Sequence, residues 1–287
     1  MEEKNKVEKS TLYLVGTPIG NLSDISDRAK KVLSEVDFIA AEDTRNSLHL
    51  LMALGIKNEL VSYHEHNKKS SGERIIARLL AGESCALVTD AGMPAISDPG
   101  EDIVALAAEA GVKVSVIPGP CAAVSALALS GLPTARFAFE GFLSPQKKER
   151  GDRLARVATE ERTMIFYEAP HKLRTTLADM AEAFGTERRI SLCREITKIN
   201  EDVTRVTLGE AVKLYEEREP RGEYVLIVEG FSGKAVSKED EELLSLSPLE
   251  HVERYVSLGM PKMDAIKKAA KERGMTKSDL YKIIADS

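Results

Sequence analysis

Two kinds of residue in this sequence could do chemistry. The first are charged side chains that follow apolar, strand-like runs: Glu42-Asp43-Thr44-Arg45, Glu168, and Arg194-Glu195-Ile196-Thr197-Lys198. A carboxylate fixed at a strand end can take a proton from a reacting hydroxyl, and an Arg or Lys beside it can hold a phosphate. Surface salt bridges are the competing use of such clusters, and they are common and weak. The second are three glycine- and proline-rich loops: Gly16-Thr17-Pro18-Ile19-Gly20-Asn21, the stretch DAGMPAISDPG from Asp90 to Gly100, and Pro118-Gly119-Pro120-Cys121-Ala122. Each can present backbone N–H groups and a helix end to a carboxylate or phosphate. In open α/β sheets, ligands sit outside the carboxyl ends of strands. The loops therefore suit a small polar ligand at the mouth of a sheet, without saying which one.

Several standard chemistries have no motif here. There is no Walker-A sequence, no G-x-G-x-x-G opening a helix, no H-E-x-x-H and no G-x-S-x-G. The three cysteines, Cys85, Cys121 and Cys193, are far apart and in no metal-ligand spacing, so packing in a reducing compartment is expected and no metal. His64 and His66 lie in a polar stretch that reads as solvent-exposed loop.

The elements that must position these groups follow from periodicity. Thr11 to Val15, Asp37 to Ala41, the run around Ala86–Val88, and Lys113 to Ile117 read as strands. Asp27 to Val36, Leu48 to Leu54, Ser71 to Ala81, Pro99 to Ala110 and Cys121 to Ser130 read as helices. Asp98 is an expected N-cap, with Pro99 at the first helical position and Glu101 completing a capping box. This alternation implies a mainly parallel sheet covered on both faces. From Gly131 onward the strands Phe137 to Phe142, Thr163 to Tyr167, Arg189 to Cys193, Thr204 to Leu208 and Glu223 to Glu229, with helices Gln146 to Ala158 and Lys172 to Phe184, suggest a second α/β domain of more antiparallel character. Its EYVLIVE strand is the most apolar and is expected to be central. The expected boundaries are a disordered tail over 1–10, domains over 11–120 and 121–231, a linker over 232–248, and a helix-turn-helix-like segment over 249–287, with helices Met263 to Arg273 and Lys277 to Ala285 about Gly274.

The chain of 287 residues is long enough for about two domains. A net charge of −6 argues against non-specific coating of nucleic acid, yet from Lys262 onward seven Lys/Arg face four Asp/Glu, so a local basic surface is available. The first ten residues, MEEKNKVEKS, lack the apolar run of a secretory leader, and a cytoplasmic protein is expected.

GTPIGNLSDI, AEDTR, DAGMPAISDPG, PGPCA, FYEAPH, REITK and GEYVLIVEG resemble, in this order, the bacterial family that methylates the ribose 2′-hydroxyl of a decoding-region cytidine of 16S ribosomal RNA (position 1402 in the usual rRNA numbering), within the tetrapyrrole-methylase-like methyltransferases. The resemblance covers Thr11 to Gly230. It implies an α/β fold of two tetrapyrrole-methylase-like domains with S-adenosylmethionine in the cleft between them, a small C-terminal helical segment, a homodimer, and 16S rRNA, within the small ribosomal subunit, as partner. By motif match, Asp90, Gly92, Met93, Pro94, Ile96, Ser97, Pro118, Gly119, Ala122, Tyr167, Glu223, Tyr224 and Val225 would approach the cofactor. Glu42, Asp43 and Glu168 are the candidate proton acceptors, with Glu195 a further strand-end carboxylate. Arg45, Lys147, Arg194, Lys198, Lys277 and Lys282 are the candidate RNA contacts. One departure is Lys172, where Arg is frequent in the family; a phosphate contact is kept without bidentate geometry.

Two other readings use the same sequence. A methyltransferase of this fold could act on a tetrapyrrole, although a basic tail has no purpose there. A ligand-sensing DNA-binding regulator would use the tail as reader, but a helix with Lys277, Tyr281 and Lys282 behind an acidic linker suits duplex binding poorly.

Overall fold

The computed structural model describes residues 6–233, 243, 246–273 and 275–285. Through Phe231 these form one compact unit holding two five-stranded sheets.

The first sheet contains β1 (Thr11–Val15), β2 (Phe38–Ala41), β3 (Leu60–Ser62), β4 (Cys85–Val88) and β5 (Lys113–Ile117), in the order β3-β2-β4-β1-β5. Every pair is parallel. Parallel strands need crossovers, here α1 (Asp27–Glu35), α2 (Thr44–Ala53), α3 (Lys68–Leu80) and α4 (Gly100–Glu109). Alternate side chains enter two cores: Tyr13, Val15, Ile39 and Ala41 pack with Val32 and Leu33 of α1, and Leu12, Phe38 and Ala40 pack with Ile75, Leu79 and Ile103 of α3 and α4.

The second sheet follows α5 (Ala122–Ser130) and contains β6 (Phe137–Phe142), β7 (Thr163–Glu168), β8 (Arg189–Arg194), β9 (Asp202–Thr207) and β10 (Tyr224–Val228). Its order is β6-β7-β10-β8-β9, with β6 and β7 parallel and the other pairs antiparallel. The apolar β10 is central and wholly buried. Its Tyr224, Leu226 and Val228 face α6 (Lys147–Val157), α7 (Leu173–Phe184) and α8 (Leu208–Glu217), while Val225 and Ile227 face α5.

The structure differs from the sequence expectations at several boundaries. Residues 7–10 are strapped down rather than free: Val7 packs on the first core, Ser10 N–H donates to the Glu83 carbonyl (3.0 Å), and Lys9 pairs with Asp37 (2.9 Å). The rest of the expected tail, residues 1–5, lies outside the described residues. Helix α2 starts at Thr44, not Leu48, because the Asp43 carboxylate caps it by accepting from Arg45 N–H (2.8 Å). Strand β3 and helix α8 were not expected, although Thr207 and Glu210 form a full capping box for α8. The box at Asp98 and Glu101 does not form; α4 begins at Gly100 without a side-chain cap from its N-cap residue, Pro99.

Asp37 ties the N-terminal strap to the sheet, accepting from Ser84 N–H and Oγ, both at 2.7 Å, and from Lys9. The Ser84 hydroxyl and Lys9 hold its carboxyl down to about 2. A depressed carboxylate contributes stability above its ordinary value near 3.8 and loses it as pH falls through about 2. Asp37→Asn should therefore cost about 1–2 kcal/mol at neutral pH. In urea titrations the gap between the two proteins should hold above pH 5 and close between about pH 4 and 2.

Residues from Ser232 belong to a second unit. Glu239–Glu242 of the expected acidic linker and Gly274 lie outside the described residues. The helices are Pro248–Ser257, Lys262–Glu272 and Lys277–Ala285. The first was not expected; a Ser247/Glu250 capping box starts it at the end of the supposed linker. Val252, Tyr255, Ile266, Ala269 and Leu280 form the core. Buried His251 bridges Arg273 (3.0 Å) and Glu272 (3.1 Å), and burial pushes it below its ordinary value, so it is a neutral structural link. Among the described residues no helix is long and apolar enough to cross a membrane.

Candidate active site

The strand order sets the loops after β2, β4, β1 and β5 side by side along the carboxyl edge of the first sheet. The three glycine- and proline-rich loops meet there. Thr17 and Gly92 exchange backbone hydrogen bonds of 2.9 and 3.1 Å, which joins the first loop to the second. Gly16 touches Gly119 backbone to backbone: a Cβ on Gly16 would lie 2.7 Å from Gly119 Cα and 2.7 Å from Met93 Sδ. Gly92 approaches Ile19 and the Pro120 carbonyl. Residues taken from three separated motifs thus form one interlocked cradle.

The cradle's second loop is strained. Ala95 (φ 69°) and Ser97 (φ 66°) are left-handed, a region non-glycine residues avoid, at about 1–3 kcal/mol each. Asp98 holds them there, accepting from Ala95 N–H (3.0 Å), Ile96 N–H (3.2 Å) and Gly100 N–H (2.7 Å). Asp98 is thus a brace for the loop as well as for the helix start. The brace leaves Ile96 49% exposed, and Pro118 and Ser97 are exposed with it. Pro94 is buried, and Met93, Gly119 and Ala122 are half-buried.

A carboxylate cluster borders the cradle, since Ala41 and Val88 are in register and the residues after them are neighbours. Thr89 Oγ1 donates to Glu42 (2.7 Å), and Asn46 Nδ2 donates to Asp90 (3.1 Å). Arg45 makes two bonds to Asp43, at 3.1 and 2.7 Å, and holds its carboxyl down to about 2. Asp43, spent as helix cap and as partner of Arg45, is a weak base. Glu42 and Asp90 keep acceptor capacity. Thr89 and Asn46 carried no sequence signal beyond nearness to the motifs.

The second sheet supplies the facing wall. Tyr167 packs against Phe139 and Phe142, with ring centres 5.1 and 5.3 Å away, and pairs with Val225 across the ladder. Burial pushes the Tyr167 hydroxyl up to about 12, so it is neutral and no base. A bulge at Gly141 brings this wall to Ser97. Beside it, Ile19 packs with Ile196, and Gly20 sits against Lys198. The 194–198 loop is strained too, with Glu195 (φ 52°) and Thr197 (φ 66°) left-handed, and Arg194 Nε and Thr197 Oγ1 are buried without a hydrogen-bond partner.

Other expected site residues are placed differently. Strand parity turns Glu168, Tyr224 and Arg194, which lie in register, to the sheet face opposite Tyr167 and Val225, so Arg194 does not border the cradle as the expected RNA contact. Glu168 is buried against Thr176 of α7, away from the cradle, and Tyr224 lies in the α6–α8 core with Tyr215. Glu168 is thus not positioned as proton acceptor for a ligand in the cradle, and Tyr224 offers only backbone. Lys198 is held by Glu195 (2.9 Å) and exposed Glu223 (2.7 Å); against the opposing effect of burial, these carboxylates keep its ammonium above the ordinary value. Neutralised twice, Lys198 is a latch rather than a phosphate contact. Arg45 (86% exposed) and Lys147 reach solvent, whereas Arg150 of the same basic helix is buried on Asp179. Lys277 and Lys282 are exposed in the second unit. Cys85 and Cys193 are buried and Cys121 half-buried, all free. Among the described residues no group of three or more His, Cys, Asp or Glu could hold a metal ion.

This fold of two sheets is shared with solved structures. Uroporphyrin-III-C-methyltransferase from Thermus thermophilus superposes with a TM-score of 0.55 at 21% identity, over 76% of this chain and 94% of that one. Residues 11–212 match the family model of the Tetrapyrrole (Corrin/Porphyrin) Methylases, which defines the class. A protein of Halalkalibacterium halodurans named Ribosomal RNA small subunit methyltransferase I is 51% identical over 96% of this chain and 95% of its own length. One of the same name from Bacillus subtilis is 46% identical over 98% and 96%. The chain belongs to the ribosomal RNA small subunit methyltransferase I family of tetrapyrrole methylases.

Proposed function

We infer that this chain transfers a methyl group from S-adenosylmethionine to the ribose 2′-hydroxyl of the decoding-region cytidine, position 1402, of 16S rRNA, acting in the cytoplasm as a homodimer on the small ribosomal subunit. The observation that carries this reading is the cradle of Gly16, Gly92 and Gly119, in a chain 51% identical to a relative named for ribosomal RNA methylation. The cradle fits the cofactor chemically. Gly16, Gly92 and Gly119 let the three loops close on one another, Asp90 offers an acceptor for hydroxyl or ammonium groups, and Met93, Pro94 and Ile96 offer apolar surface. Bound there, the cofactor supplies an electrophilic sulfonium methyl.

The chain's own work is then alignment and one proton. The braced Ala95–Asp98 loop and the Tyr167 wall fix the cleft, so alignment needs little reordering on binding. Glu42, oriented by Thr89, is the group we assign to take the 2′-hydroxyl proton. Arg45 suits the RNA phosphates, together with Lys147 and, in the second unit, Lys277 and Lys282. Labelled S-adenosylmethionine offered with purified small subunits, a tetrapyrrole and genomic DNA tests the reading. Label in RNA ribose, mapped to one cytidine, is expected. Label in the tetrapyrrole, or in no acceptor, would overturn it. Sedimentation of the full chain checks the dimer.

A further inference from the structure

A second recess, of about 140 Å³, opens between the end of β6, α6 and the start of α7, and nothing above uses it. Its floor is Glu168, only 4% exposed. One carboxylate oxygen accepts from Thr176 Oγ1 and the other from Ala169 N–H. Among the described residues Glu168 is in no ion pair. Arg150, a buried cation that lines the recess, is turned to Asp179 and to the Ser144 and Pro145 carbonyls (both 3.1 Å). His171 and Lys172 line the same recess, and Leu143 gives it an apolar side.

These features select a ligand. Each carboxylate oxygen already holds one donor and can accept another bond. An anion on this floor would meet the carboxylate, so a phosphate is disfavoured and an N–H donor favoured. A cavity of about 150 Å³ is the size that holds one six-membered ring. His171 and Lys172 supply donors for a carbonyl at the ring's far side. A six-membered ring with an exocyclic amino group at one edge and a carbonyl at the other is cytosine, whose amino group Glu and Asp side chains accept from.

The recess and the cleft share the carboxyl end of β7, because consecutive Tyr167 and Glu168 face opposite sides of the strand. Single-stranded RNA offers unstacked bases to such pockets. We propose that the recess takes an unstacked cytosine base of the RNA substrate, its amino group donating to Glu168, while a ribose of the same RNA lies in the cleft. This rests on the RNA reading above.

The test is binding of cytidine 5′-monophosphate to the full chain, followed by the methyl resonances of Leu143 and Thr175. Cytidine monophosphate should shift them, uridine monophosphate should bind about tenfold more weakly, and inorganic phosphate should leave them unmoved. Glu168→Gln, which keeps the side chain's size, should erase the preference. Thr175→Tyr, at an exposed position, should block the recess without touching Glu168. With small subunits, Glu168→Gln should raise KM about tenfold while kcat and S-adenosylmethionine affinity hold. Equal shifts from phosphate, or a cytidine preference that survives Glu168→Gln, would overturn the proposal. Subunit methylation by the wild type without any cytidine preference would overturn it alone and leave the proposed function standing. Failure of the wild type to methylate subunits would instead remove the RNA reading on which it rests.

Discussion

Gly119→Ala should lower S-adenosylmethionine affinity at least about 100-fold and abolish methyl transfer, in a protein that still folds; the steric cost of such overpacking is about 1–3 kcal/mol. The added Cβ would stand 2.8 Å from Gly16 Cα and 2.8 Å from the Gly16 carbonyl oxygen. Real Cβ atoms do not approach so closely, and no flexible side chain is there to yield. Gly16 cannot retreat either. Its N–H is bonded to the Ile117 carbonyl (3.1 Å), and its neighbour Thr17 is bridged to Gly92. The displacement must therefore run through Thr17 into the Gly92–Met93 turn, where the ligand-facing loop begins. Gly151→Ala is the control: it lies in α6 with nothing within 4 Å of its Cβ position, and should leave affinity unchanged while stabilising the helix by about 0.5–1 kcal/mol. Calorimetry of both variants decides. Wild-type affinity in Gly119→Ala would mean that the cradle does not hold the cofactor.

How much of this was legible in the sequence depends on whether the signal was local. The central place of β10 was legible because EYVLIVE carries apolar residues at both parities, and only a strand covered on both faces has a use for that. The three loops were legible as turns at strand ends, each from its own glycines and prolines. That Gly16 and Gly119 interlock was not, because the contact joins residues far apart in the chain and belongs to strand order. The face of Glu168 was half legible. Period two dictates that Tyr167 and Glu168 cannot share a face, so one of the pair had to leave the cleft; which one depends on α5 covering one side and α7 the other. Asp43 and Asp98 were ambiguous for a chemical reason. A carboxylate that could accept a proton can equally accept a backbone N–H, and in this fold Asp43 caps α2 while Asp98 braces a strained loop. Helix α8, absent from the expected elements, carries a complete local signal in Thr207-x-x-Glu210 with Leu208, Ala211 and Tyr215.

Asp90→Asn separates a ligand-binding carboxylate from a structural one. Asp90 is exposed, and among the described residues Asn46 Nδ2 is the group that donates to it, at 3.1 Å. Two of the neighbouring acids are committed elsewhere, Asp43 to Arg45 and Asp98 to three backbone N–H groups, while Glu42 accepts from Thr89 through one oxygen. Asp90 is thus the exposed carboxylate of this edge with acceptor capacity left for a ligand, whereas Glu42 is half-buried. Asparagine keeps its size and can still meet Asn46 through the carbonyl oxygen, so stability should change by less than about 0.5 kcal/mol, as for other exposed sites. A ligand hydroxyl or ammonium would lose a charge-assisted bond, and a buried donor left without its partner costs about 1–3 kcal/mol, which is about 5- to 150-fold in affinity. The expected result is therefore a large rise in the S-adenosylmethionine dissociation constant at unchanged Tm. Asn46→Ala should have a much smaller effect, because it removes only the orienting donor. Equal losses in the two variants would mean that Asp90 acts by placing Asn46. Unchanged binding in Asp90→Asn would move the cofactor away from β4 altogether and leave Glu42 without a neighbouring methyl group to serve.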